Sequence, residues 1–77
     1  MTAPGDARPR KHSVTLNGHR TSVSLEDAFW LEFQRLADAR GQSVNDLAAE
    51  IDVARGVSSG LASAIRLFVL TEVKAGH

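Results

Sequence analysis

Asn17-Gly18 constrains this chain more than any other dipeptide in it. A two-residue type I′ turn needs positive φ at both central positions, which asparagine and glycine tolerate, and the segments on either side alternate in polarity. Closing a hairpin there pairs Leu16 with His19, Thr15 with Arg20, Val14 with Thr21 and Ser13 with Ser22. Period-two alternation then places Val14, Leu16, His19, Thr21, Val23 and Leu25 on one face. Lys11, Ser13, Thr15, Arg20, Ser22 and Ser24 fall on the other. The turn and the apolar pattern agree on one register.

Beyond Leu25 the period lengthens. Phe29, Phe33, Leu36 and Ala37, with Trp30 beside them, have the spacing of an amphipathic helix. Glu26 and Asp27 stand at its start, where carboxylates favour the positive end of the helix dipole, and Arg40-Gly41 ends it. A second helix is expected from Ser43-Val44-Asn45-Asp46, a capping-box spacing with aspartate in place of glutamate. Its stripe is Val44, Leu47, Ala48 and Ile51, and Arg55-Gly56 closes it. A third runs from Ser59 to about Lys74 behind a serine N-cap. Leu61, Ile65, Phe68, Val69 and Val73 form one face, and Leu67 and Leu70 carry apolar surface around the cylinder.

A chain of 77 residues makes one domain, and the first ten, MTAPGDARPR, read as a flexible basic arm ahead of a domain at 11–77. So small a core usually needs a staple, a metal or a second chain. There is no cysteine, and His12, His19 and His77 have no metal-ligand spacing, so no metal or cofactor is expected. Self-association is the remaining remedy, and the broad apolar girth of the third helix points the same way. IRLFVL is too short to span a bilayer and the N-terminus does not resemble a signal peptide, so a cytoplasmic protein is expected.

The net charge of zero conceals an uneven distribution. Residues 1–25 hold four basic groups (Arg8, Arg10, Lys11 and Arg20) against Asp6, whereas residues 26–77 hold five basic and eight acidic ones. A cationic front on an acidic body suits a polyanion approached from one side; the same charges also suit a passive solvated tail. Gly56-Val57-Ser58-Ser59-Gly60 matches the serine-hydrolase elbow pattern, but a helical stretch precedes it and the chain cannot build the sheet that motif requires. An interhelical turn is the reading taken, and no enzymatic activity is expected. His19 reads as a rim residue, and Phe29, Trp30 and Phe33 read as core aromatics.

The layout of RTSVSL, then DAFWLEFQRLADARG, then GQSVNDLAAEI resembles the ribbon-helix-helix family of Arc- and MetJ-type repressors. KHSVTLNGHRTSVSLEDAFW ahead of the helices and AIRLFVL behind them resemble a subgroup with an N-terminal hairpin and a third helix. The resemblance spans residues 11–73. It implies a mainly α fold with a short β-hairpin, β-β-α-α-α per chain, in an intertwined homodimer. It further implies a transcriptional repressor or antitoxin-like regulator that binds double-stranded DNA, with another protein such as a toxin as a further partner. Carried over by position, Arg20, Ser22 and Ser24 would face base edges. Lys11, Gln42, Ser43, Val44 and Asn45 would meet phosphates, four of them at the start of the second helix. Val23, Leu25, Phe29, Phe33, Leu47, Ile51, Leu61, Ile65, Phe68 and Val69 would form the dimer core. The alternative is a dimerising protein-interaction module of the same fold without sequence-specific DNA binding.

The sequence departs from the family at two points. The Asn-Gly turn adds a second strand, so a dimer would carry four strands spanning roughly 14 Å, against a major groove of about 12 Å. The break at 56–59 leaves Ser43 and Ser58/Ser59 both open as the start of the family's second helix.

Overall fold

The computed structural model describes residues 8–55 and 60–76. Strand β1 (Arg10–Leu16) and strand β2 (His19–Leu25) form an antiparallel hairpin. Helices α1 (Asp27–Ala39), α2 (Val44–Ala54) and α3 (Leu61–Lys74) follow. All four expected cross-strand pairs are present, and the ladder runs on through His12↔Val23, Lys11↔Ser24 and Arg10↔Leu25. Asn17 has φ 51° and Gly18 φ 85°, the two positive values that a type I′ turn demands. The strand thus takes in Arg10, which the sequence reading left in the arm. Arg10 also lies 3.5 Å from Asp27 at the start of α1, so the last residue of that arm is tied to the domain.

The helix ends follow local chemistry. Gly41 adopts φ 68°, and N–H bonds run from Gly41 to the Asp38 carbonyl (3.0 Å) and from Gln42 to the Ala37 carbonyl (2.9 Å). That bond pair is a Schellman cap. Ser43 N-caps α2, its Oγ accepting from the Asp46 N–H at 3.0 Å. The helix that begins at the Gly-x-Ser-x-Asn stretch is therefore α2, starting from Ser43.

Two expectations are corrected. Glu26 is the N-cap of α1 rather than part of its first turn, and its side chain makes no capping bond because Arg66 holds it. Helix α3 begins at Leu61 with Gly60 as its N-cap, not at Ser59 behind a serine cap. Gly60 is extended (ψ 158°), and its carbonyl accepts the first helical bond from Ala64 at 3.0 Å. Glycine takes this position at little cost relative to serine. Ser58, Ser59 and the remainder of the hydrolase-like pattern up to Gly60 lie outside the described residues.

One face of the hairpin packs on the helices. Val14, Val23 and Leu25 join Phe33, Leu36 and Ala37 of α1, Leu47, Ala48 and Ile51 of α2, and Ile65 and Val69 of α3 in one buried cluster. Phe29, Leu61 and Phe68 are partly buried against it. The positions expected in a dimer core are thus already packed within a single chain. Leu31, Val53, Leu67, Leu70 and Val73 are exposed. On α3, Ile65 and Val69 turn inward, whereas Leu67 (65% exposed) and Leu70 (50%) point away from the core.

His12 supplies a contact that the alternation pattern did not flag. It shares the inward face with Val14, and its ring stacks on Trp30 with centroids 4.2 Å apart and planes 9° from parallel. Trp30 in turn meets Phe33, and Phe33 meets Phe68 edge-on. This aromatic chain ties β1 to α1 and α1 to α3.

Phe33 is fully enclosed at the centre of this packing. Phe33→Ala is expected to destabilise the fold by about 3–5 kcal/mol. Gln34→Ala, one position along on the exposed side, should stay within about 0.5 kcal/mol of the parent. Urea unfolding followed by circular dichroism compares the two.

Candidate nucleic-acid interface

The outward face of the hairpin is polar and free of carboxylates. Lys11, Ser13, Arg20, Ser22 and Ser24 are all exposed, with Thr15 partly covered. Between Arg8 and Leu25 there is no aspartate or glutamate, so every described acidic group lies at or beyond Glu26. The strand register brings Lys11 beside Ser24, Ser13 beside Ser22 and Thr15 beside Arg20. The three base-contact candidates and Lys11 therefore share one continuous surface. Ser13, which the sequence reading did not single out, lies among them; its place in the alternation could have identified it.

Main-chain directions along the strand edges follow from two side-chain contacts. The Thr15 N–H points away from β2 and donates to Asn45 Oδ1 at 2.9 Å. The Ser24 carbonyl points away from β1 and accepts from Arg66 Nη2 at 3.2 Å. Antiparallel alternation then sends the N–H and C=O groups of Arg20 and Ser22 outward from β2 as well. Among the described residues these outward groups of Arg20 and Ser22 meet no backbone partner. The outer edge of β2 is open from Arg20 to Ser22 and closed at Ser24.

The residues expected at the start of α2 are brought to the β1 side of the sheet, but their side chains are engaged. Asn45 is on Thr15, and Ser43 caps its own helix. Gln42 accepts from Arg40 Nε at 3.0 Å and donates to Glu50. Val44 packs against the core. What this helix end still offers an anion is backbone, the N–H groups of Val44 and Asn45, since Asp46 N–H is taken by Ser43 and Leu47 N–H bonds the Ser43 carbonyl.

Arg66 is a residue that sequence reasoning missed. From α3 it donates through Nε to Glu26 Oε1 at 2.8 Å and through Nη2 to Glu26 Oε2 at 3.2 Å, besides its bond to Ser24. One guanidinium thereby joins the end of β2, the cap of α1 and the flank of α3. Its partners are 40 and 42 residues away in sequence, beyond the reach of any local pattern. One and two turns further along α3, on the same side, come Leu70 and Val73. With Ala28, Phe29, Glu32 and Val69 they line a groove of about 210 Å³. A larger groove, about 420 Å³, lies on the opposite flank of α3 between Ile51, Arg55, Leu67 and Phe68.

Among the described residues no group of histidine, cysteine and acidic side chains could hold a metal ion. No helix there is long and apolar enough to cross a membrane.

The family model for the ribbon-helix-helix domain matches residues 9–73. The chain belongs to the ribbon-helix-helix family, whose members are generally DNA-binding regulators that dimerise. No curated protein and no solved structure matches it.

The Glu26–Arg66 contact sets a pH response. Hydrogen bonds from Arg66 hold the Glu26 carboxyl below the ordinary glutamate value, aided by its own backbone bond and the charge of Arg66 and opposed by desolvation. A depressed carboxyl contributes its stability above the pKa of the unfolded chain and loses it as pH falls through the lower folded value. Acid unfolding should therefore be shallower below the ordinary glutamate range in Glu26→Gln than in the parent. Thermal melts across an acid pH series measure the difference.

Proposed function

We propose that the chain acts as a homodimeric DNA-binding regulator, of repressor or antitoxin-like kind, whose sheet face bearing Arg20, Ser22 and Ser24 is turned toward duplex DNA. The observation that carries this reading is the carboxylate-free outer face of the hairpin, with Lys11 and Arg20 exposed on it and every described acidic group at or beyond Glu26. Such a separation attracts a polyanion to one side of the molecule and repels it from the other. Arg20 has the planar fork that meets guanine O6 and N7 together. Phosphate contacts would come from Lys11 and from the backbone at Val44 and Asn45.

Dimerisation is supported by the open edge of β2. Two such edges, paired antiparallel about a two-fold axis, satisfy the outward groups of Arg20 and Ser22 and make a sheet of four strands. Arg66 stands at the end of that edge, and Leu70 and Val73 continue from it along α3. The same approach of two chains therefore covers apolar surface on α3 while it completes the ladder.

Light scattering on a size-exclusion column should return twice the chain mass, and a stable folded monomer would contradict the dimer. In gel shifts at low salt the protein should retard duplex DNA, with affinity falling steeply as salt rises. Arg20→Ala should cost about 1–3 kcal/mol at a preferred site and relax its sequence preference. Failure to retard any duplex at low salt would leave the protein-interaction module as the function of this fold.

A further inference from the structure

We propose that the outer strand β1 is a phosphate-binding rail, so that the sheet lies across the mouth of the major groove and base reading falls to Arg20 rather than to Ser22 or Ser24. This rests on the dimeric DNA-binding reading above and concerns how that sheet meets its duplex.

The first step is width. In a sheet ordered β1-β2-β2-β1 about a two-fold axis, neighbouring strands lie about 4.8 Å apart, which puts each β2 about 2.4 Å and each β1 about 7 Å from the axis. The major groove is about 12 Å wide, so its walls stand about 6 Å from its midline. The two central strands fit between the walls. The two outer strands lie over them, where the phosphates are, and stop the sheet from descending.

The second step is which side chains the outer strand presents there. Lys11 and Ser13 are both exposed on the DNA-side face of β1, beside Ser24 and Ser22 of β2. An ammonium and a hydroxyl are donors suited to phosphate oxygens, and neither needs a base edge. The tie from Thr15 N–H to Asn45 sets the start of α2 along the same outer edge of β1. Lysine, serine hydroxyl and helix-end N–H groups thus follow one line, the line a phosphate backbone takes.

The third step is reach. With the sheet held at the mouth, a base contact must cross a groove about 8.5 Å deep. A serine hydroxyl is one bond beyond Cβ and covers little of that depth. The guanidinium of Arg20 rides on a three-carbon stem and covers most of it. Ser22 and Ser24 then face water between sheet and bases, and direct readout comes from one arginine per chain.

The test uses the full chain and a labelled duplex taken from a selection of bound fragments, read by fluorescence anisotropy across a salt series. Lys11→Gln should lower the slope of log affinity against log salt by about 2 per dimer and weaken all duplexes alike. Ser13→Glu should weaken all duplexes alike by placing a carboxylate against phosphate. In a randomised pool, Ser22→Ala and Ser24→Ala should keep the parental base preference while Arg20→Ala flattens it. All five positions are exposed, and circular dichroism confirms that each variant is folded. If the parent binds but Lys11→Gln leaves the slope unmoved, or Ser22→Ala reshapes base preference as Arg20→Ala does, the rail is overturned and the DNA-binding reading stands. If the parent binds no duplex at low salt, both are overturned.

Discussion

The register of β1 against β2 is the constraint on which everything else in this molecule rests. Side chains alternate across a strand, so a slip of one residue would exchange its two faces entirely. In the register adopted, Val14, Val23 and Leu25 close the roof of the core while Lys11, Ser13, Arg20, Ser22 and Ser24 face outward. Slipped, the same strand would bury lysine and serine against Phe33 and expose valine. The Asn17-Gly18 turn enforces the correct choice locally, and the stack of His12 on Trp30 enforces it from the helical side. Two unrelated interactions therefore defend one alignment.

Local chemistry was legible in the sequence; long-range chemistry was not. The hairpin pairs, the Gly41 cap and the Ser43 cap each depend on residues a few positions apart, and each could be read before any coordinates. The serine expected ahead of α3 failed because glycine is also an acceptable N-cap, and a run of Ser-Ser-Gly offers three starting points within one turn. The engagement of Asn45 by Thr15 joins residues 30 apart, and Arg66 reaches Glu26 over 40. Neither leaves a periodic trace. The candidate interface divides the same way. Its sheet face follows from alternation alone, whereas the use of the Gln42, Ser43 and Asn45 side chains within their own chain does not.

The core also shows how a small chain apportions its apolar residues. Ile65 and Val69 of α3 are sunk into a cluster that a single chain closes, while Leu67 and Leu70 on the other side of the helix remain in water. The excess girth of α3 noted in the sequence is real, but it is split between an inner face already used and an outer one still open. The positions expected to meet across two chains are mostly on the inner face. The face of α3 that a single chain leaves in water is the outer one.

The two margins of the hairpin are not alike. Along β1, helix α2 lies against the strand and Asn45 occupies the Thr15 amide. Along β2, the amides and carbonyls of Arg20 and Ser22 look into solvent, with Arg66 stationed at the end. Each margin is engaged at one end, β1 at Thr15 and β2 at Ser24. Two-fold pairing along β2 would consume that margin in both participants and leave α2 lying against each outer strand.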